Sequence, residues 1–382
     1  MMSMQASASR PQDEDAMPLK VMTVLPPRER FAVGEAGAIS LLVQRMAAPG
    51  EIVVGLPPDS APFAGISFLP VQRVFRPFSR IHRYAGGVAR LARQVQPDLL
   101  EVHNRPDVAL ALRKLCPTVP VVLVLHNDPC GMRRARTSGE RDKLGKAVAI
   151  VAVSEWVRSR FVSQNVKACV RVLPNSLTMA SLPAQPDQRE KRLLFAGRVV
   201  ADKGADAFVA ACAQLLPRYP EWRADMIGAD RFGPDSPETP FLAALRPKAI
   251  EAGVVLHGYQ PHEVVLNAMA HDAIVVVPSR WPEPFGMSAL EAMGCGAALV
   301  ASRKGSLPDV VGDTGLYADP DDLPKLVQVI ERLMLDEPLR QTLGQDARQR
   351  AWLFDTTIVR EKRRLLHQDI VREWRWKGTF HA

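Results

Sequence analysis

The chain has 382 residues, 47% of them hydrophobic and 24% charged, with 49 basic against 41 acidic side chains and a formal net charge of +8. That length exceeds one comfortable core, so two domains are expected, and the mild basic excess favours anionic partners such as phosphates, a lipid surface or nucleic acid without choosing among them. No apolar run approaches the length of a membrane-spanning helix, and the five scattered cysteines form no C-x-x-C pair, which fits a reducing compartment.

In chain order, residues 1–17 lack a basic stretch followed by an apolar one, so they read as a disordered leader rather than a secretory signal. The runs Leu19–Leu25, Glu51–Leu56, Asp98–His103, Val119–His126 and Ala147–Ser154 are rich in Val and Ile and apolar on both faces, as parallel strands covered by helices are. Helical spacing recurs between them, for example over 39–46 and 86–94. Residues 18–180 therefore read as a first doubly wound α/β domain. In it, Gly34 and Gly37 frame the loop between the first strand and a helix, and His103 and His126 each end a strand. The glycine loop lacks the G-x-G-x-x-G spacing, which disfavours a nicotinamide cofactor. A histidine that ends a strand is often only a structural hydrogen-bond partner.

Residues 73–93 mix Arg73, Arg76, Arg80, Arg83, Arg90 and Arg93 with Phe75, Phe78, Ile81 and Tyr84. Such a segment suits an anionic bilayer and equally suits a helix with a solvated basic face. A polar, proline-bearing stretch over 178–189 reads as a hinge. The strand grammar then repeats at Lys191–Gly197, Ala224–Ala229, Val254–Gly258, Ala273–Pro278 and Ala297–Ser302, so 190–352 forms a second doubly wound domain. Ligand is expected in the crevice at the carboxyl ends of the strands. Residues 355–377 form a charged helix whose apolar positions Ile358, Leu365, Leu366 and Ile370 make a broken stripe, enough for docking across both domains.

Two motifs in the second half carry chemistry. In "SRWPEPFGMSALEAMGCG", Ser279 to Gly296, a strand gives way to a Pro-rich turn and then a helix, leaving the amides of Gly286, Met287 and Ser288 free to meet a phosphate. Gly286 permits close approach of a ligand to the backbone. Glu283 and Glu291 flank that anion site and would repel a phosphate, so they suit hydroxyl groups on either side of it. Taken alone, Glu291 also suits the first turns of a helix and Glu283 a solvated loop. In "FAGRVVADKGAD", Arg198 stands at a strand end and Lys203 at the start of the next helix, two cations placed to clamp a diphosphate.

Together these segments resemble the retaining glycosyltransferases of family 4. "EPFGMSALEAMGCGAALVAS" is similar to their E-x7-E signature, "GRVVADKG" to their G-R-x-x-x-x-K-G element, and "VLPNSLTMA" to V-x-P-N-G, with Ser176 where glycine is usual. The resemblance runs from about Val21 onward and is strongest from Arg192 to Asp319. It implies a GT-B fold, with two Rossmann-like domains facing across a cleft, the first (18–180) binding the acceptor and the second (190–352) the nucleotide sugar, and a last helix crossing back to the first. It implies that Arg198 and Lys203 bind the diphosphate of a nucleotide-sugar donor, Glu283 the donor hydroxyls and Glu291 the ribose. Phe285, Gly286 and Met287 would meet sugar and phosphate through their amides, Gly34 and Gly37 would lie close to the diphosphate, and His126 near the sugar.

The same resemblance implies retention of anomeric configuration without a protein nucleophile, cofactor or metal, so orientation and charge stabilisation carry catalysis. The reading is therefore a hexosyltransferase acting on lipopolysaccharide, exopolysaccharide or a lipid-linked saccharide, in the cytoplasm and peripheral to an anionic membrane surface. Alternatives are an enzyme that makes a small soluble glycoside and an inactive sugar-nucleotide binding protein. No nucleic-acid partner is expected, because the interleaved Arg and Trp residues are confined to the tail.

Overall fold

Thirteen strands, all parallel, form two sheets among the described residues of the computed structural model, which are 18–72, 79–230 and 238–379. The expected leader lies outside the described residues, as do Arg73, Phe75, Arg76 and Phe78 of the basic segment. The first sheet comprises β1 (Val21–Val24), β2 (Ile52–Gly55), β3 (Ser67–Pro70), β4 (Leu99–His103), β5 (Val121–Leu125), β6 (Ala149–Ala152) and β7 (Val170–Val172), in the order β3-β2-β1-β4-β5-β6-β7. The second comprises β8 (Glu190–Ala196), β9 (Arg223–Ile227), β10 (Val254–Gly258), β11 (Asp272–Val277), β12 (Ala298–Ala301) and β13 (Leu316–Tyr317), in the order β10-β9-β8-β11-β12-β13. Every residue of β1, β4, β5 and β12 is buried, which is why those runs are apolar on both faces. Both orders reverse direction at an internal strand, and the loops leaving the carboxyl ends at that point hold the site.

Two crossings join the lobes and pair with each other. Leu177 donates its amide to the Phe354 carbonyl at 2.9 Å, Thr356 donates to the Leu177 carbonyl at 3.0 Å, and the Asp355 carboxylate accepts the Met179 amide at 3.1 Å. The chain then enters its last helix, Thr356–Thr379, which returns to the first lobe.

The side of this helix that packs inward differs from the expected stripe. Ile358 and Leu365 are 40% and 47% exposed, whereas Val359, Arg363, His367, Ile370 and Val371 are buried. The buried positions keep helical spacing, but two of them are polar, so an apolar pattern alone looks broken. Arg363 donates to Glu51 and Glu101, each at 2.7 Å, and His367 pairs with Glu101 at 2.5 Å. Burial pushes both carboxyls up, but Arg363 more than offsets it: Glu51 is held below the usual carboxylate range and Glu101, which also faces His367, well below it.

The described part of the basic segment is the helix Arg80–Val95. Its Tyr84, Ala85, Gly87, Val88, Ala89 and Ala92 are buried, while Arg80, Arg90 and Arg93 are exposed. No described helix is long and apolar enough to cross a membrane.

Candidate active site

In the second lobe, β8 delivers Gly197 and Arg198 to the carboxyl edge, and a short 3-10 turn, Ala201–Lys203, precedes the helix Ala205–Leu215. Arg280, unremarked in the sequence, holds that turn against the loop after β11. Its guanidinium grips Asp206 at 2.7 Å and 3.1 Å, Asp321 at 2.6 Å and the Ala201 carbonyl at 2.9 Å. Lys203 Nζ consequently meets Glu283 Oε1 at 2.5 Å, and Ser279 Oγ donates to the same oxygen at 2.7 Å. Glu283 is only 8% exposed, and these two partners satisfy its inward oxygen. Arg198 is exposed, and its side chain makes no hydrogen bond or ion pair among the described residues.

The Glu283 backbone is equally constrained. It forms a parallel bridge with Gly305, and its carbonyl accepts the Ser306 amide at 2.8 Å and the Ser306 hydroxyl at 3.1 Å. Gly305 has φ +64, and a Cβ there would fall 2.2 Å from the Glu283 carbonyl oxygen. The next carbonyl, that of Pro284, accepts a hydrogen bond from Ser154 Oγ of the first lobe at 2.6 Å. One loop thus carries Glu283 and spans the two lobes.

The helix Met287–Gly294 starts as expected. Gly286 is its N-cap, with φ +94 and no side chain to cap it, and the amides of Gly286, Met287 and Ser288 make no backbone hydrogen bond among the described residues. These free donors, at the positive end of a helix, face the edge that Lys203 shares. Phe285 plays two parts: its ring is buried edge-on against Phe354, with centroids 5.8 Å apart, while its backbone belongs to the loop.

Glu291 lies one turn further in and does not contact Glu283. Its carboxylate pairs with His262 Nε2 at 2.8 Å. That hydrogen bond raises the His262 pKa against the opposing effect of burial. Arg45 reaches toward it from the first lobe while donating to the Ser176 carbonyl at 2.5 Å; burial pulls Arg45 down and Glu291 opposes this. Neither Arg45 nor His262 belongs to a motif, so no signal in the sequence marks them.

Across the cleft, His126 follows β5 and His103 ends β4. His126 Nε2 meets His103 Nδ1 at 2.8 Å, the rings stack at 5.1 Å, and His103 Nε2 meets Glu101 Oε1 at 2.9 Å. Because Glu101 is ionised, it accepts from His103 Nε2–H. In the tautomer where His103 Nδ1 accepts from His126 Nε2–H, His126 Nδ1 is left as an acceptor. That nitrogen is buried and has no partner within the described chain. Burial, then the neighbouring His103, push the His126 pKa down to about 3 against a smaller upward pull from Glu101, so the ring is neutral at physiological pH.

The glycine loop departs from a simple anion cradle. Gly37 is the N-cap of the helix Ala38–Met46, and the Ser40 amide there donates to Glu29 Oε2 at 3.2 Å. A Cβ on Gly37 would lie 2.6 Å from Glu29 Oε1. Here the helix N-terminus is capped by the chain's own carboxylate. Gly34, at φ +80, has nothing within 4 Å of such a Cβ.

The chain as a whole is similar to known proteins. Residues 43–179 match the model of Glycosyltransferase Family 4 and residues 183–350 that of Glycosyl transferases group 1. The chain is 23% identical to the lipopolysaccharide 1,2-N-acetylglucosaminetransferase of Salmonella typhimurium, over 71% of this chain and 74% of that protein. It is 34% identical to the D-inositol 3-phosphate glycosyltransferase of Corynebacterium jeikeium, over 48% of this chain and 44% of that protein. Among solved structures, HepE of Anabaena in complex with UDP and glucose superposes with a TM-score of 0.70 at 18% identity, covering 90% of this chain and 98% of that one. With one family model matched in each lobe, over 43–179 and 183–350, and the two-lobed GT-B fold, the protein belongs to the family 4 type of glycosyltransferases.

Proposed function

We propose that the protein is a retaining hexosyltransferase that moves a sugar from a nucleoside diphosphate donor to a hydroxyl of a cell-surface glycan acceptor, at the cytoplasmic face of a membrane. The observation that carries this reading is the meeting of Lys203 and Glu283 at the strand edge where the Gly286–Ser288 amides are free. In this reading Lys203, Arg198 and those amides hold the diphosphate. They stabilise the charge that grows on it as the bond from the anomeric carbon to the phosphate oxygen breaks. The acceptor oxygen bonds to the same face of that carbon, and its proton passes to the departing phosphate. No metal is given a role.

Glu283 accepts hydrogen bonds from donor-sugar hydroxyls, and Glu291, steadied by His262, takes the ribose. His126 Nδ1 accepts from a sugar hydroxyl. Gly34 and Gly37 approach the diphosphate once Glu29 swings clear of the Ser40 amide. HepE, with UDP and glucose, supports the donor class, and the Salmonella relative supports a cell-surface glycan as acceptor.

The test is a donor panel of UDP-, GDP- and ADP-hexoses, with release of nucleoside diphosphate measured. At least one donor should be slowly hydrolysed, and Lys203→Ala should abolish that turnover while leaving the circular dichroism spectrum intact. Full activity in Lys203→Ala, or a chain that binds donors without turning any over, contradicts the reading.

A further inference from the structure

The carboxyl edge of the first sheet holds a concavity lined by none of the residues given to the donor above. A cavity of about 610 Å³ opens between the turn after β1, the first turn of the helix Arg80–Val95, and the turns after β4 and β5. That volume is of the size that encloses a small organic ligand. Arg28, Arg80, Arg105 and Arg133 line it, against a single carboxylate, Asp107.

Asp107 is already engaged: its two oxygens take Arg105 Nε at 2.9 Å and Nη2 at 2.8 Å. Arg28, Arg80 and Arg133 are exposed, and their side chains make no hydrogen bond or ion pair among the described residues. Three uncompensated guanidinium groups around one hollow repel one another, and an anion seated among them removes that repulsion. Their planar donor forks match phosphate oxygens, and more than one of them can bind a doubly charged group. The cavity also adjoins the site: Asn104 in its wall accepts the His126 amide through Oδ1 at 3.1 Å.

The family resemblance gives the first lobe to the acceptor; we infer that this acceptor carries a phosphate or diphosphate beside the hydroxyl to be glycosylated, seated among Arg28, Arg80 and Arg133. The inference rests on the glycosyltransferase reading above and narrows it to a phosphorylated acceptor. Two sources share that chemistry, a soluble sugar phosphate and the head group of a lipid-linked saccharide.

The experiment titrates wild type and the double variant Arg80→Gln/Arg133→Gln with three probes: glucose 6-phosphate, a short-chain polyprenyl diphosphate sugar in detergent, and glucose. A phosphorylated probe should bind the wild type, weaken with added salt, and lose at least tenfold in affinity in the variant, while glucose binds neither. Binding of glucose 6-phosphate assigns a soluble acceptor and binding of the diphosphate sugar a lipid-linked one. Either result supports the inference. Equal binding of glucose, phosphorylated probes that bind both proteins alike, or no binding of either phosphorylated probe overturns it. A parallel titration with the hydrolysed nucleotide sugar separates the two readings. If donor binding survives and the phosphate effect does not appear, the inference falls alone; if the donor does not bind either, the glycosyltransferase reading falls with it.

Discussion

Replacing Arg363 with Met tests how the last helix is held to the first lobe. Arg363 is 7% exposed and donates to Glu51 at 2.7 Å and 2.9 Å and to Glu101 at 2.7 Å, 3.1 Å and 3.2 Å. Methionine fills much of the volume but strands two carboxylates that are 5% and 2% exposed. Breaking a buried pair by removing one partner costs about 3–5 kcal/mol, because the remaining charge is uncompensated. At roughly 2.1 cal/mol/K of unfolding entropy per residue, a chain of this size loses about 1.2 °C of melting temperature per kcal/mol, so calorimetry at pH 7.5 should show a drop of about 4–6 °C.

The pH dependence carries a sign. In the wild type Glu51 and Glu101 have folded pKa values below their unfolded ones, so their contribution is present above about pH 4.5 and is lost as pH falls through the folded values. In the variant the pull of Arg363 is gone, so burial is opposed only by Thr23 at Glu51 and by His103 and His367 at Glu101, and both values rise. The gap between the two proteins should therefore narrow as pH falls from 8 to 5, and Glu51→Gln/Glu101→Gln in the Arg363→Met background should recover part of the loss. A variant that melts within about 1 °C of wild type, or a gap that widens in acid, refutes the argument.

Three further outcomes are expected. Long-range nitrogen-15 spectra at pH 7 should show His126 protonated at Nε2 and bare at Nδ1, and His103→Phe should scramble that signature and lower kcat about tenfold, the effect of a lost buried hydrogen bond; a wild-type ring protonated at Nδ1 contradicts the proton assignment. Gly305→Ala should cost about 1–2 kcal/mol from its positive φ and also abolish turnover by displacing Glu283, whereas Gly65→Ala, at φ +77 with open space around it, should lose stability but keep activity. Burial, then the nearby Asp225, push Asp272 up to about 7, so the wild type loses stability as pH rises from about 4 to 7. Asp272→Asn should be more stable above pH 7 by no more than about 4 kcal/mol and equal near pH 4, and a stability difference that does not change with pH removes the cause.

Much of the fold was legible because buried parallel strands are apolar on both faces, and ten of the thirteen lie in short apolar runs of the sequence. The three that escaped, β3, β7 and β13, are edge strands with partly exposed patterns, and their residues need no such bias. Lys203, Glu283 and the Gly286–Ser288 amides were legible because they sit in motifs at strand ends, and the structure brings them to one edge. Arg280, His262, Arg45 and the Glu101–His103–Arg363 network were not, since their partners lie up to 340 residues away and no spacing announces a pairing of that range. The last helix shows the same limit: its inward side is partly charged, and only the carboxylates it meets explain why.

The most direct measurement is a crystal structure with the nucleotide sugar selected by the donor panel bound intact. The account predicts a diphosphate within hydrogen-bond reach of Arg198, Lys203 and the Gly286–Ser288 amides, a ribose on Glu291, and a sugar between Glu283 and His126. A donor seated elsewhere, or one whose diphosphate touches neither cation, would contradict it.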